Sequence, residues 1–130
     1  MPNHLARPTD TEKSFMQANI AQLKRMQSFA LAKDIPFVVV LMPDENQLNP
    51  ALQSSLIPDG SLADYDFEMP QAALRPLFER EQINYVDLLP DFQSDQRCLY
   101  MDDTHWITAG HEFAAQRIAD FLNAGAYLPH

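Results

Sequence analysis

The sequence predicts an α/β fold with a parallel sheet, and three observations carry that prediction. Phe37-Val38-Val39-Val40-Leu41-Met42 is a continuous apolar run without alternation, the pattern of a strand buried on both faces. Ile83 to Leu89 forms a second strand-like run. Around them lie stretches with apolar residues at helical spacing. The order helix, strand, helix, strand, helix gives a parallel sheet with helices packed on it through right-handed crossovers.

Taken in order, residues 1–9, with Pro2 and Pro8, read as a loose lead-in. Thr9 or Asp10 can cap a helix, with Glu12 and Lys13 in its first turn. Met16, Ile20, Leu23, Met26 and Ala30 recur at helical spacing, which predicts a long amphipathic helix to about Lys33. Gln17, Lys24, Arg25 and Gln27 fall largely on its other face. The Met16/Met26 stripe reads as packing, and no cofactor is expected. Asp34-Ile35-Pro36 breaks the helix, and Pro43-Asp44-Glu45-Asn46 ends the first strand. Residues there stand at the carboxyl-end rim where α/β sheets bind ligands. Turn chemistry gives the plainer alternative, that Asp44 or Asn46 caps a turn.

Asn49-Pro50 pairs an N-cap with a proline at the first helical position and starts a short helix to about Leu56. Ile57 to Met69 reads as an acidic loop with a turn at Pro58-Asp59-Gly60-Ser61. Pro70 starts a further helix, with Ala73, Leu74, Leu77 and Phe78 as its apolar face through about Glu81; Pro76 inside it implies a kink or a later start. Pro90 ends the second strand, and Asp91 to Cys98 is a polar connection. Thr108 is the expected cap of the last helix, Phe113, Ala114, Ala115, Ile118, Phe121 and Leu122 its inward face, and Gly125 its stop.

A chain of 130 residues is expected to be one domain. With 18 acidic against 9 basic residues the net charge is -9, which argues against nucleic acid and against anionic membrane surfaces as partners. The lone Cys98 excludes an internal disulfide and is expected to be buried filler. No stretch approaches the roughly 20 apolar residues of a membrane span, and the first residues show no apolar signal-peptide core, so localisation stays open. Two strands leave sheet edges, to be covered by a second copy or by an upstream part of a larger domain.

The chemistry concentrates in Tyr100-Met101-Asp102-Asp103-Thr104-His105-Trp106, just ahead of the last helix. A carboxylate beside an imidazole fixes its tautomer and stabilises its protonated form, as a general base requires. Read without further context, these charges could equally be loop solvation. Trp106 is expected to pack under the loop, Gly110 to allow close helix-to-loop packing, and His111 to be structural. A metal site from Asp102, Asp103, His105 and His111 is conceivable from the donor types, but no recognised ligand spacing is present, and the reading adopted holds no metal. His4 and His130 are terminal and uninformative.

The element order and this motif resemble the SGNH (GDSL-like) hydrolase superfamily, in its C-terminal half. Asp102-Asp103-Thr104-His105 fits both the D-x-x-H and the D-x-H spacing of that family, and Asp103-Thr104-His105-Trp106 followed by Gly110 is similar to the D-x-H-W form of alginate O-acetyltransferase-like members. Leu41-Met42-Pro43 and Tyr85 to Pro90 are also similar, and the resemblance covers roughly residues 15 to 123. It implies a partial flavodoxin-like, three-layer α/β/α fold with few parallel strands. It implies a Ser-His-Asp triad with His105 as base and Asp103 as its orienting partner, Asp102 taking that place under the longer spacing. The implied substrate is an acyl ester: a lipid, a short-chain ester or an O-acetylated carbohydrate.

The family's nucleophile belongs to a G-D-S block and its oxyanion-hole Gly and Asn to two further blocks, none of which occurs here; Asp59-Gly60-Ser61-Leu62 is a scrambled echo in the wrong place. The chain is therefore expected to be the C-terminal segment of a larger SGNH-like domain, supplying the His-Asp pair and inactive alone. A non-catalytic α/β interaction module pairing through its sheet edge is the alternative.

Overall fold

The computed structural model describes residues 7–57 and 59–127. Pro2 and His4 of the lead-in, Pro58 of the expected turn, and His130 lie outside the described residues.

Helix α1 spans Asp10–Leu31. Thr9 caps it: its hydroxyl accepts from the Glu12 amide at 3.2 Å, and the Glu12 carboxylate accepts from the Thr9 amide at 2.7 Å. This reciprocal pair satisfies two amides that the first turn leaves without partners. The buried side of α1 differs from the periodic reading. Ile20 and Gln27 are buried, whereas Met26 points outward. Gln27 Nε2 donates to the Gln82 carbonyl at 3.1 Å, and the Lys24 ammonium donates to the Glu81 carbonyl. The turn after a later helix offers carbonyls, so two polar side chains earn inward positions that apolar spacing alone assigns elsewhere.

Strand β1 (Val39–Leu41) and strand β2 (Tyr85–Asp87) pair in parallel, in the register Val39↔Tyr85, Val40↔Val86 and Leu41↔Asp87. Both are shorter than the apolar runs that contain them. Each strand has one partner among the described residues, so the ladder is as short as their overlap. For the same reason β1 is half-buried and Met42 is exposed, although the run reads as an interior strand. Side chains alternate across the sheet. Val39, Leu41 and Tyr85 pack with Ile20, Phe78 and Ile83 on one face, while Val38, Val40 and Val86 pack with Leu88, Phe92, Leu99 and Ala114 on the other. The result is a partial α/β/α layer arrangement around a two-stranded parallel sheet, in agreement with the expected fold class.

Four further helices flank the sheet's connections. Helix α2 (Pro50–Leu56) is capped by Asn49, whose side-chain oxygen accepts from Ala51 and Leu52. Helix α3 (Met69–Arg80) is continuous across Pro76. Helix α4 (Leu89–Ser94) replaces the expected polar connection: Asp87 Oδ1 accepts from the Leu89 amide at 3.0 Å, Pro90 sits in the first turn, and Phe92 is buried. Helix α5 (Thr108–Ala124) follows Ile107, which occupies the cap position without a side-chain bond, so Thr108 is its first helical residue rather than its cap. Ala114 is buried against the core, but Ala115 is exposed.

Candidate functional site

The segment between α4 and α5 closes into a tight hairpin. The Ile107 amide donates to the Leu99 carbonyl at 2.9 Å, Tyr100 and Trp106 form an antiparallel bridge, and the Met101 amide donates to the His105 carbonyl at 2.7 Å. Asp102, Asp103 and Thr104 form the loop, with the Thr104 amide donating back to the Met101 carbonyl at 3.1 Å. Thr104 sits at φ 69, the left-handed position that closes three-residue hairpin loops and that usually belongs to glycine. A β-branched residue there is strained by about 1–3 kcal/mol.

Three contacts fasten the hairpin to the end of β1, to α4 and to α5. The Tyr100 hydroxyl donates to the Pro43 carbonyl at 2.9 Å, which ties the hairpin to the chain leaving β1. Burial pushes the Tyr100 phenol up to about 12, with smaller help from Asp44 and Glu45 and an opposing hydrogen bond from Trp106. The Trp106 ring stacks on Phe92 at 5.2 Å, and His111 stands edge-on to it at 5.5 Å. Gly110 lets α5 approach: a Cβ there would lie 2.6 Å from the Leu99 carbonyl oxygen and 3.0 Å from Trp106 Cβ.

On this loop, His105 Nδ1 lies 3.1 Å from Asp103 Oδ2, while Asp103 Oδ1 accepts from the His105 amide at 3.3 Å. The backbone amide of His105 is the main reason the Asp103 carboxyl sits below its ordinary range, with the imidazole as a lesser cause. An Nδ1 proton held by Asp103 leaves Nε2 as the free lone pair. The pair is open to solvent, with His105 76% and Asp103 67% exposed. Asp102 is exposed and makes no side-chain hydrogen bond or ion pair among the described residues. The two spacings open in the sequence therefore separate: the hairpin brings Asp103, not Asp102, to the imidazole. The four candidate metal donors do not gather, since among the described residues no three His, Cys, Asp or Glu side chains are placed to hold an ion.

The serine chemistry looks different. Ser61 Oγ donates to Asp59 Oδ1 at 2.6 Å within a turn led by Gly60. Ser28, Ser54, Ser55 and Ser94 donate to backbone carbonyls of their own helices. Ser14 is exposed on α1, and none of these six hydroxyls bonds His105.

Beyond β1, Asp44 caps the 3-10 turn Glu45–Gln47, accepting from the Asn46 amide at 3.0 Å, so the turn-capping reading describes it. Gln47 donates to the Phe67 carbonyl and to Gln71 Oε1, both at 2.7 Å. Between this turn, α2 and the stretch from Phe92 to Tyr100 lies a cleft of about 590 Å³. His105 does not line it, but Tyr100, at the foot of the hairpin, does. Cys98 also lines it and is exposed, not the buried filler expected; in extended chain Leu99 takes the inward position and turns its neighbour out. Sequence reasoning missed Gln53 and Arg97 in the cleft, because no local pattern links residues more than forty positions apart.

A family model described as an SGNH hydrolase-like domain, acetyltransferase AlgX, matches residues 3–129. No curated protein and no solved structure matches the chain.

Proposed function

The chain belongs to the family of SGNH hydrolase-like domains of the acetyltransferase AlgX, and from that membership we propose that it supplies the acid–base pair of an acyl-transfer site acting on O-acetyl groups of a carbohydrate. The observation that carries this reading is the 3.1 Å approach of His105 Nδ1 to Asp103, which aims the free Nε2 away from its orienting carboxylate. His105 Nε2 takes the proton of an attacking serine hydroxyl as its oxygen bonds the acyl carbon. The same proton then passes to the departing alkoxide, and a second hydroxyl or water repeats the exchange to release the acyl group. Asp103 holds the tautomer and offsets the imidazolium charge. The nucleophile comes from another segment or chain, since the hydroxyls of Ser28, Ser54, Ser55, Ser61 and Ser94 are bonded elsewhere and Ser14, on the exposed side of α1, makes no bond to His105.

The test is acetyl-ester turnover by these residues with and without the serine-bearing segment. Alone, the chain is expected to hydrolyse p-nitrophenyl acetate at background and to resist fluorophosphonate labelling. Joined to that segment, it turns over, and His105→Ala lowers kcat by about 10³–10⁴-fold. Labelling of the isolated chain with loss of hydrolysis, or full activity in His105→Ala, overturns the proposal. The non-catalytic reading has its own support in the outward apolar residues Phe15, Met26 and Phe29 of α1, which suit a protein partner. It predicts no turnover in either form.

A further inference from the structure

Helix α1 turns one side to the core, with Ile20 and Gln27 buried, and its opposite side carries Phe15, Ala18, Gln22, Met26 and Phe29, all exposed. Their spacings are three, four, four and three residues, which keeps them on one stripe of a helix with 3.6 residues per turn. That series reads the same in both directions from Gln22. Laid antiparallel on a second copy and centred there, Phe15 meets the second copy's Phe29, Ala18 meets its Met26, and Gln22 meets Gln22 on the two-fold axis. Each rung then sets ring on ring or a small methyl on a long, adaptable thioether. A surface that matches itself under a two-fold rotation is what an isologous dimer requires. Gln22 fixes the register, because any slip would put its amide against an apolar residue. Charge agrees with this arrangement. Residues 7–33 hold five of the nine basic residues and two of the eighteen acidic ones, so two copies meeting at α1 keep their acidic surfaces apart. Lys33, just past the helix end, has its ammonium 5.1 Å from the Phe29 ring centroid. Antiparallel alignment brings it beside the first-turn acids Asp10 and Glu12 of the second copy, whereas parallel alignment would set those acids on each other.

We propose that the chain forms a two-fold dimer through α1, the two helices antiparallel and in the register that sets Phe15 on Phe29. The seam from Phe15 to Phe29 is about 21 Å long. A contact of one helix on one helix is small beside a standard interface, so the dimer is micromolar and reversible. The inference does not depend on the acyl-transfer reading.

The experiment is sedimentation equilibrium of the whole chain at about 0.15 M salt, where repulsion between charges more than about 8 Å apart is largely screened. A reversible monomer–dimer equilibrium is expected. Phe15→Ser with Phe29→Ser raises its Kd at least about tenfold. Both rings lie outside the core, so thermal unfolding of that variant stays native-like. Orientation is read by mild oxidation of single-cysteine chains in which Cys98→Ser removes the native thiol. Gln22→Cys is expected to cross-link, because its two copies face each other at the axis. Thr11→Cys, on the same stripe, is not, because its two copies stand about 33 Å apart in the antiparallel register. A chain that stays monomeric at every concentration, a dimer untouched by the double serine variant, or cross-linking through Thr11→Cys as readily as through Gln22→Cys overturns the inference. So does loss of the dimer on joining the serine-bearing segment, which would assign the face of α1 to that segment.

Discussion

Thr104 shows how much of the candidate site turns on one backbone angle. Its positive φ lets the Met101 and His105 backbones pair and so swings the imidazole back over Asp103. Replacement by glycine removes the steric cost at the expense of unfolded-state entropy. Thr104→Gly is therefore expected to stabilise the fold by about 0.5–1 kcal/mol in chemical denaturation. It also frees the loop, so order parameters at Asp102 to His105 fall, and the active assembly loses kcat as the pair spends less time aligned. An increase in kcat would show that the strain serves no purpose. This residue also marks what the sequence could say about the site. The residue types were legible in Asp102-Asp103-Thr104-His105, but both spacings were open, because the choice between the two carboxylates depends on a three-residue loop closure that composition does not encode. The cleft was not legible, since its walls come from segments far apart in the chain.

Among the elements, the hairpin depends on the tie between Tyr100 and the end of β1. Tyr100→Phe removes the bond to the Pro43 carbonyl, leaves that buried acceptor with one partner fewer, and should cost about 1 kcal/mol. The same tie has a pH signature. The folded phenol holds its proton more tightly than the unfolded one, at about 12 against an ordinary 10.0. Its contribution is therefore complete below the unfolded value and is lost as pH rises through the folded one. Alkaline unfolding should show a step between those values that Tyr100→Phe diminishes, the remainder coming from Tyr85, whose phenol is also pushed up by burial and by Glu79; an unchanged profile in the variant would place the step elsewhere. Element starts were the most readable part of the fold, because Thr9 with Glu12 and Asn49 with Pro50 act through bonds within one turn. Helix α4 was missed because its first amide is held by Asp87, a residue the sequence had assigned only to the strand. The burial of Gln27 was missed because its partner is a carbonyl more than fifty residues away.

On the scale of the whole molecule, two helical layers enclose a sheet with just two strands among the described residues, so each strand has an unpaired edge. Helix α1 adds an outward apolar stripe, with Phe15 65%, Met26 55% and Phe29 68% exposed. Such features invite edge-to-edge pairing and apolar contact between copies. What opposes them is the net charge of -9, a repulsion that acts before any two surfaces can align. Colloidal behaviour should then follow charge more closely than fold stability. Light scattering is expected to rise sharply near pH 4.6, where the sequence carries no net charge, while the circular dichroism of the material left in solution stays native. Phe15→Ser with Phe29→Ser should blunt the rise, and persistence of the full rise in that variant would assign it to the strand edges. At neutral pH added salt does the same work as acid, by shortening the reach of the repulsion to about 3 Å at 1 M. The acidic composition thus acts as a gatekeeper against precipitation, and neutralising mutations on this surface should shorten shelf life in proportion to the charge they remove.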